Sequence, residues 1–177
     1  MTADHLRIAE GLSPQVRMAV TVLAINAKSR LAEQRRPRAE RRPPLIAVLL
    51  SPYAIARAAA TAVIARHVNA PVQRVDWSRL LSPYAHETQL NVERLFDAAE
   101  HAGVFLLFDE ADALFGPHGR PLDFSDIAHE ASTSALLDRM ARFDGPVCFT
   151  AGQRRHLHPS LLAAANPVID LTATASA

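Results

Sequence analysis

The sequence predicts an α/β protein, a three-layer sandwich on a five-stranded parallel sheet with an N-terminal helical extension. Three observations lead there. From residue 45 onward, short apolar runs alternate with longer helical segments, and strands spaced by helices form parallel sheets covered on both faces. The run Gly103-Val104-Phe105-Leu106-Leu107-Phe108 ends abruptly in Asp109 and Glu110. That is the pattern of a fully buried strand delivering carboxylates to the C-terminal edge of a sheet, where open α/β folds place their ligands. Finally, 177 residues with 49% hydrophobic and 21% charged content suit a globular domain with a substantial core.

The elements follow in order. Ser13 and Pro14 supply a cap and a first helical position. Val16, Val20, Leu23, Ala27 and Leu31 recur at helical spacing, which predicts an amphipathic helix over 14–34. Pro37, Pro43 and Pro44 prevent its continuation. The chain therefore divides into a helix with an Arg/Pro-rich linker (1–44) and an α/β core (45–177). Residues 45–50 form a buried strand, and the alanine-rich 52–68 a helix. A strand follows at 71–76, then a helix over 87–102 with Leu90, Leu95, Ala98 and Ala99 on its apolar side. The central strand is 103–108. A helix over 125–142, a strand at 146–151, a short helix at 160–165 and a last strand at 168–171 complete the sheet, joined by right-handed crossovers.

Charge and cysteine usage narrow the function classes. The net charge is +1, which argues against a protein that coats nucleic acid. Of the 19 basic side chains, all but Lys28 are arginine. Cys148 is the single cysteine, so there is no internal disulfide and no zinc pattern; in a buried strand it reads as an inert core thiol. His86, His118, His129, His156 and His158 lack metal-ligand spacing. Ser132 and Ser134 have no recognisable nucleophile setting. No run has signal-peptide layout or transmembrane length, so a cytoplasmic location is expected. Arg35, Arg36, Arg38, Arg41 and Arg42 form a cluster suited to phosphate groups or an acidic partner, though without aromatic residues for base stacking. A solvated linker is the plain alternative.

The acid-ended strand, with its trailing Ala111-Asp112-Ala113-Leu114-Phe115-Gly116, resembles the Walker B motif of AAA+ ATPases. Other strings follow in that family's order. They are the segment from Arg79 to Thr88, the run Asn91-Val92-Glu93-Arg94-Leu95-Phe96, then Leu136-Leu137-Asp138-Arg139-Met140 and Phe143-Asp144-Gly145. The resemblance runs from residue 45 to the C-terminus and implies a P-loop NTPase-like sandwich. It implies that Asp109 helps hold magnesium and Glu110 activates the attacking water. Tyr84 matches the aromatic that grips polypeptide in the central pore of such rings; a surface tyrosine is the bland reading.

Other parts of the resemblance are degenerate. The phosphate loop should fall on Ser51, Pro52, Tyr53, Ala54, Ile55, Ala56, Arg57 and Ala58, and every glycine of the family's motif is missing there. Those glycines allow the backbone to turn with positive φ and approach phosphate closely. The family's lysine is replaced by Arg57 and its magnesium-binding threonine by Ala58, which has no oxygen. On physical grounds the slot reads as a helix start, with Ser51 as cap and Pro52 in first position. The fourth strand's string ends in Gly152, which has no side chain to orient a water. Ala163 and Ala164 stand where the family has arginine fingers, worth orders of magnitude in rate, and Arg154 and Arg155 lie several residues early. The family's helical lid, which normally follows the last strand, is not expected within these 177 residues. Opposite charges at adjacent strand ends suggest that Glu110 pairs with Arg57 or caps the next helix.

The resemblance as it stands implies a pseudo-ATPase, a non-catalytic interaction or regulatory module whose partners are proteins, an active AAA+ relative or a second copy. The alternatives are an active ATPase that binds ATP and magnesium through an atypical loop, and an accessory protein that contacts nucleic acid through its arginine cluster.

Overall fold

The computed structural model describes residues 11–34, 43–112 and 124–172, leaving aside the side chains of 78, 85 and 124–132. The loosely patterned start at 1–10, the arginine cluster at 35–42, the 113–116 end of the acidic motif, and the side chains of His118, His129 and Ser132 lie outside the described residues.

Among the described residues, α-helices and strands alternate: α1 (Pro14–Gln34), β1 (Leu45–Leu50), α2 (Ala54–Val68), β2 (Val72–Val75), α3 (Ala85–Ala102), β3 (Phe105–Phe108), α4 (Phe124–Arg142), β4 (Pro146–Ala151), α5 (Pro159–Ala164) and β5 (Val168–Asp170). Local chemistry sets their ends. The Ser13 hydroxyl accepts the Val16 N–H at 3.4 Å and so caps α1. α2 stops at Asn69 in the left-handed region (φ 53°). α3 stops at Gly103 (φ 62°), whose N–H returns to the carbonyls of Ala99 and Glu100.

The five strands form one sheet in the order β2-β3-β4-β1-β5, every pair parallel. Register runs from Leu45 opposite Pro146 to Leu50 opposite Ala151. Because side chains alternate along a strand, each buried strand feeds two cores. Ile46, Val48, Leu106, Phe108, Val147 and Phe149 face α3, α4 and α5. Ala47, Leu49, Phe105, Leu107 and Cys148 face α1 and α2. α1 is thus part of the body, packed along α2.

Two expectations need correction. Ser51 does not cap α2. Its hydroxyl accepts the Tyr53 N–H at 3.1 Å, a local turn that holds Pro52 and Tyr53 outside the helix, so Tyr53 takes the cap position in extended conformation. The buried side of α3 is also different. Leu90 and Ala98 are exposed, and Thr88, Val92, Phe96 and Ala99 point inward. The reason is aromatic packing. Phe96 lies 4.9 Å from Phe143 edge-on and 6.3 Å from Phe108, and so sets the rotation of the helix.

Across the outer surface of α3, Arg139 of α4 is buried among three carboxylates. It meets Asp97 at 2.8 Å, Glu93 at 2.9 Å and Glu100 at 3.4 Å, and its guanidinium lies 5.3 Å from the centre of the Phe96 ring. Burial alone would lower its pKa. The hydrogen bonds to Asp97 and Glu100 and the charges of Glu100 and Glu93 outweigh that, so the net direction is up. Among the described residues, no helix is long and apolar enough to cross a membrane.

Candidate functional site

The sheet order determines what meets what. β4 lies between β3 and β1, so the ends of β1, β3 and β4 converge at the C-terminal edge. Only Ser51, Pro52 and Tyr53 separate β1 from α2. Pro52, Tyr53, Ala54, Ile55 and Ala58 are exposed there, while Ser51 is buried. Ala56 and Arg57 are half-buried.

Arg57 turns back over this edge. Its Nη1 donates to the Ser51 carbonyl at 2.8 Å, and its Nη2 lies 3.8 Å from Glu110 Oε1. The Arg57 side chain is 13% exposed and that of Glu110 77%. Such a long, solvated pair contributes little energy, but it places the two groups suggested by the sequence beside one another.

β3 ends in the acids, and β4 holds them. Thr150 is fully buried. Its hydroxyl donates to Asp109 Oδ1 and accepts the Glu110 N–H at 3.2 Å, while its carbonyl accepts the Ala111 N–H at 2.8 Å. These links force a sharp turn, and Glu110 adopts φ 55°, a conformation that side-chain-bearing residues rarely take. Asp109 also pairs with Arg74 of β2 at 3.6 Å. Asp112 ties the same turn to the segment after β4. It accepts the N–H of Gly152 at 2.6 Å and of Gln153 at 3.3 Å, and lies 3.4 Å from His156 Nδ1.

The polar side chain over the acids is therefore Thr150, two residues before Gly152, the position implied by the family resemblance. A lone hydroxyl in the apolar run Val147-Cys148-Phe149-Thr150-Ala151 was the available signal. Arg74 has no such local signal: the sequence shows a cation in the short strand at 71–76, and only the sheet order puts that strand beside the acidic one.

An open cleft of about 350 Å³ lies across the C-terminal ends of β4, β1 and β5, lined by Ser51, Pro52, Gly152, Arg154, Asp170 and Thr172 among others. Asp109 and Glu110 are not part of its lining. Arg154 and Arg155 are exposed in a single 3-10 turn, and Tyr84 is exposed just before α3. His158 caps α5, accepting the Ser160 N–H at 3.2 Å. The described residues contain no cluster of histidine, cysteine or carboxylate groups able to hold a metal. Burial, with the charge of Asp109 adding to it, pushes the Cys148 thiol up, so it stays protonated.

A parallel sheet with acids at its C-terminal edge, facing a strand-to-helix slot, defines the P-loop NTPase class of architecture. The comparisons narrow this further. Residues 49–172 match the model of the ATPase family associated with various cellular activities (AAA). The chain belongs to that family, whose members typically bind ATP and magnesium. No curated protein matches it. Among solved structures, a chain of the HORMA:CdnC:Trip13 complex of E. coli MS115-1 superposes with a TM-score of 0.69 at 18% identity, over 98% of this chain and 68% of that one. At that identity the likeness is one of fold.

Proposed function

We propose that the chain is a degenerate AAA+ domain, a cytoplasmic pseudo-ATPase that keeps the scaffold and both acids and serves as a non-catalytic interaction or regulatory module. One observation carries the reading. The slot used for phosphate in this family is engaged by the chain's own groups, since Arg57 binds the Ser51 carbonyl and reaches Glu110. Ala58 offers no oxygen to a metal, and no glycine lies between Leu50 and Val68 to let the backbone wrap a phosphate. Asp109, the position implied for magnesium, is already matched by Arg74 and Thr150. A magnesium triphosphate does not fit this set of groups. Partners under this reading are proteins, an active AAA+ relative or a second copy, with Tyr84 as a candidate contact. The similar fold within a multiprotein complex supports that direction.

Titration calorimetry of ATP and ADP with magnesium tests the reading. No binding is expected up to millimolar nucleotide; micromolar affinity overturns it. A second reading, an active ATPase, draws on the way Thr150 holds Asp109 and Glu110. It requires magnesium-dependent turnover that collapses in Glu110→Gln. The third, nucleic-acid binding through the arginine cluster, requires steeply salt-dependent affinity lost on deleting 35–42.

A further inference from the structure

α1 is apolar on two opposite sides. Val16, Val20, Leu23, Ala27 and Leu31 are buried against α2 and the sheet. On the reverse, Met18, Val22 and Ile25 keep 65%, 47% and 50% of their surface exposed. Their spacing stacks them on successive turns, and at 3.6 residues per turn the two stripes point roughly 180° apart. A helix lying on a globular body needs one apolar stripe and turns polar groups to water on the other side. Scattered exposed apolar residues are ordinary, but a ridge along a helix is the surface onto which a second helix packs.

The charges beside the ridge select the occupant. Arg17 and Lys28 are both exposed. They lie on the same flank of the ridge, about three turns or roughly 16 Å apart along the axis. Neither has an ion-pair partner among the described residues. Arg17 is steadied by its bond to the Leu12 carbonyl at 3.3 Å. No aspartate or glutamate occurs from Ser13 to Ala32. The one carboxylate of α1, Glu33, sits in its last turn; in an antiparallel pairing centred on Val22 it falls beyond the start of the facing helix, and cation edge is set against cation edge.

We propose that the outer face of α1 docks an amphipathic helix of a partner protein, one with an apolar ridge and carboxylates about three turns apart along one flank. Met18, Val22 and Ile25 supply the packing; Arg17 and Lys28 set orientation and selectivity. Three side chains cover far less than the roughly 800 Å² per partner of a standard interface, so the contact is exchangeable. The surface lies apart from the slot at Ser51–Ala58 and does not rest on the pseudo-ATPase reading.

The test is fluorescence anisotropy with two dye-labelled probe helices, each with a leucine ridge. One carries two glutamates three turns apart on one flank and the other carries lysines there. The expected result is saturable binding of the glutamate probe, at least about tenfold tighter than the lysine probe. Lys28→Glu should erase that preference and the double variant Arg17→Glu/Lys28→Glu should invert it, and Val22→Asp should abolish binding while the thermal transition is retained, since the site is exposed. Absence of saturable binding, equal affinity for both probes, or unchanged binding by Val22→Asp overturns the proposal. So does binding to phosphatidylserine vesicles, lost in Val22→Asp, without binding of the glutamate probe; the face would then be a membrane contact.

Discussion

Two arginines of this chain meet carboxylates in opposite ways. Arg139 is buried, touches Glu93, Asp97 and Glu100 at 2.8–3.4 Å and lies over Phe96. Arg57 has a single carboxylate at 3.8 Å, on a glutamate open to solvent, and its Nε is buried without a partner among the described residues. The first arrangement satisfies geometry, charge and packing together, and staples α4 to α3. The second is loose, and its glutamate has an unfavourable backbone conformation. Strain and incomplete pairing cluster where a fold is shaped by something other than stability. The comparison thus separates a structural ion cluster from one left at a site.

The contrast breaks most readily at Arg139. Arg139→Ala is expected to cost about 2–3 kcal/mol, because three carboxylates lose their common cation and Phe96 loses its cover; rehydration of the half-exposed acids keeps the loss below that of a wholly buried pair. Arg57→Ala should stay within about 1 kcal/mol. Chemical denaturation of both variants compares them directly, and equal losses would remove the distinction. Thr150→Val comes next. It keeps the shape but leaves the Glu110 N–H unpaired and Asp109 with Arg74 alone, for an expected loss of about 1–2 kcal/mol.

At neutral pH the smallest effect concerns Cys148, which separates the buried sheet from the exposed edge above it. Its pKa is raised in the folded chain from an ordinary 9.0. The unfolded chain therefore releases this proton first as pH rises, and the stability from the protonated thiol is present below pH 9 and falls above it. The slope from this group is about 1.4 kcal/mol per pH unit. Cys148→Ala should flatten the alkaline limb of a stability–pH profile by that amount; an unchanged limb would mean the thiol is not held protonated.

Periodicity made much of the architecture legible. The bounds of β1 and β4 follow from apolar runs, interrupted in β4 by Thr150, and α1 from the spacing of Val16 to Leu31. Side-chain competition decided the rest. The start of α2 moved because a serine hydroxyl satisfied a backbone N–H locally. The face of α3 departs from the leucine and alanine spacing because Phe96 reaches Phe108 and Phe143. At the site, the acids announced themselves, but Thr150 did not. Its role depends on β4 lying beside β3, a long-range pairing that no local pattern encodes. The outer ridge of α1 was hidden for a related reason, since its spacing overlaps that of the buried stripe.

One consequence of the aromatic packing is optical. Trp77 is the chain's one tryptophan, buried, with its ring centre 6.4 Å from Phe108, the residue before Asp109. Phe108 in turn stacks on Phe149 at 4.9 Å, beside Thr150. The indole therefore sits against the strand end that carries the acids, and its emission serves as an intrinsic, label-free gauge of any ligand, partner or substitution that shifts that edge.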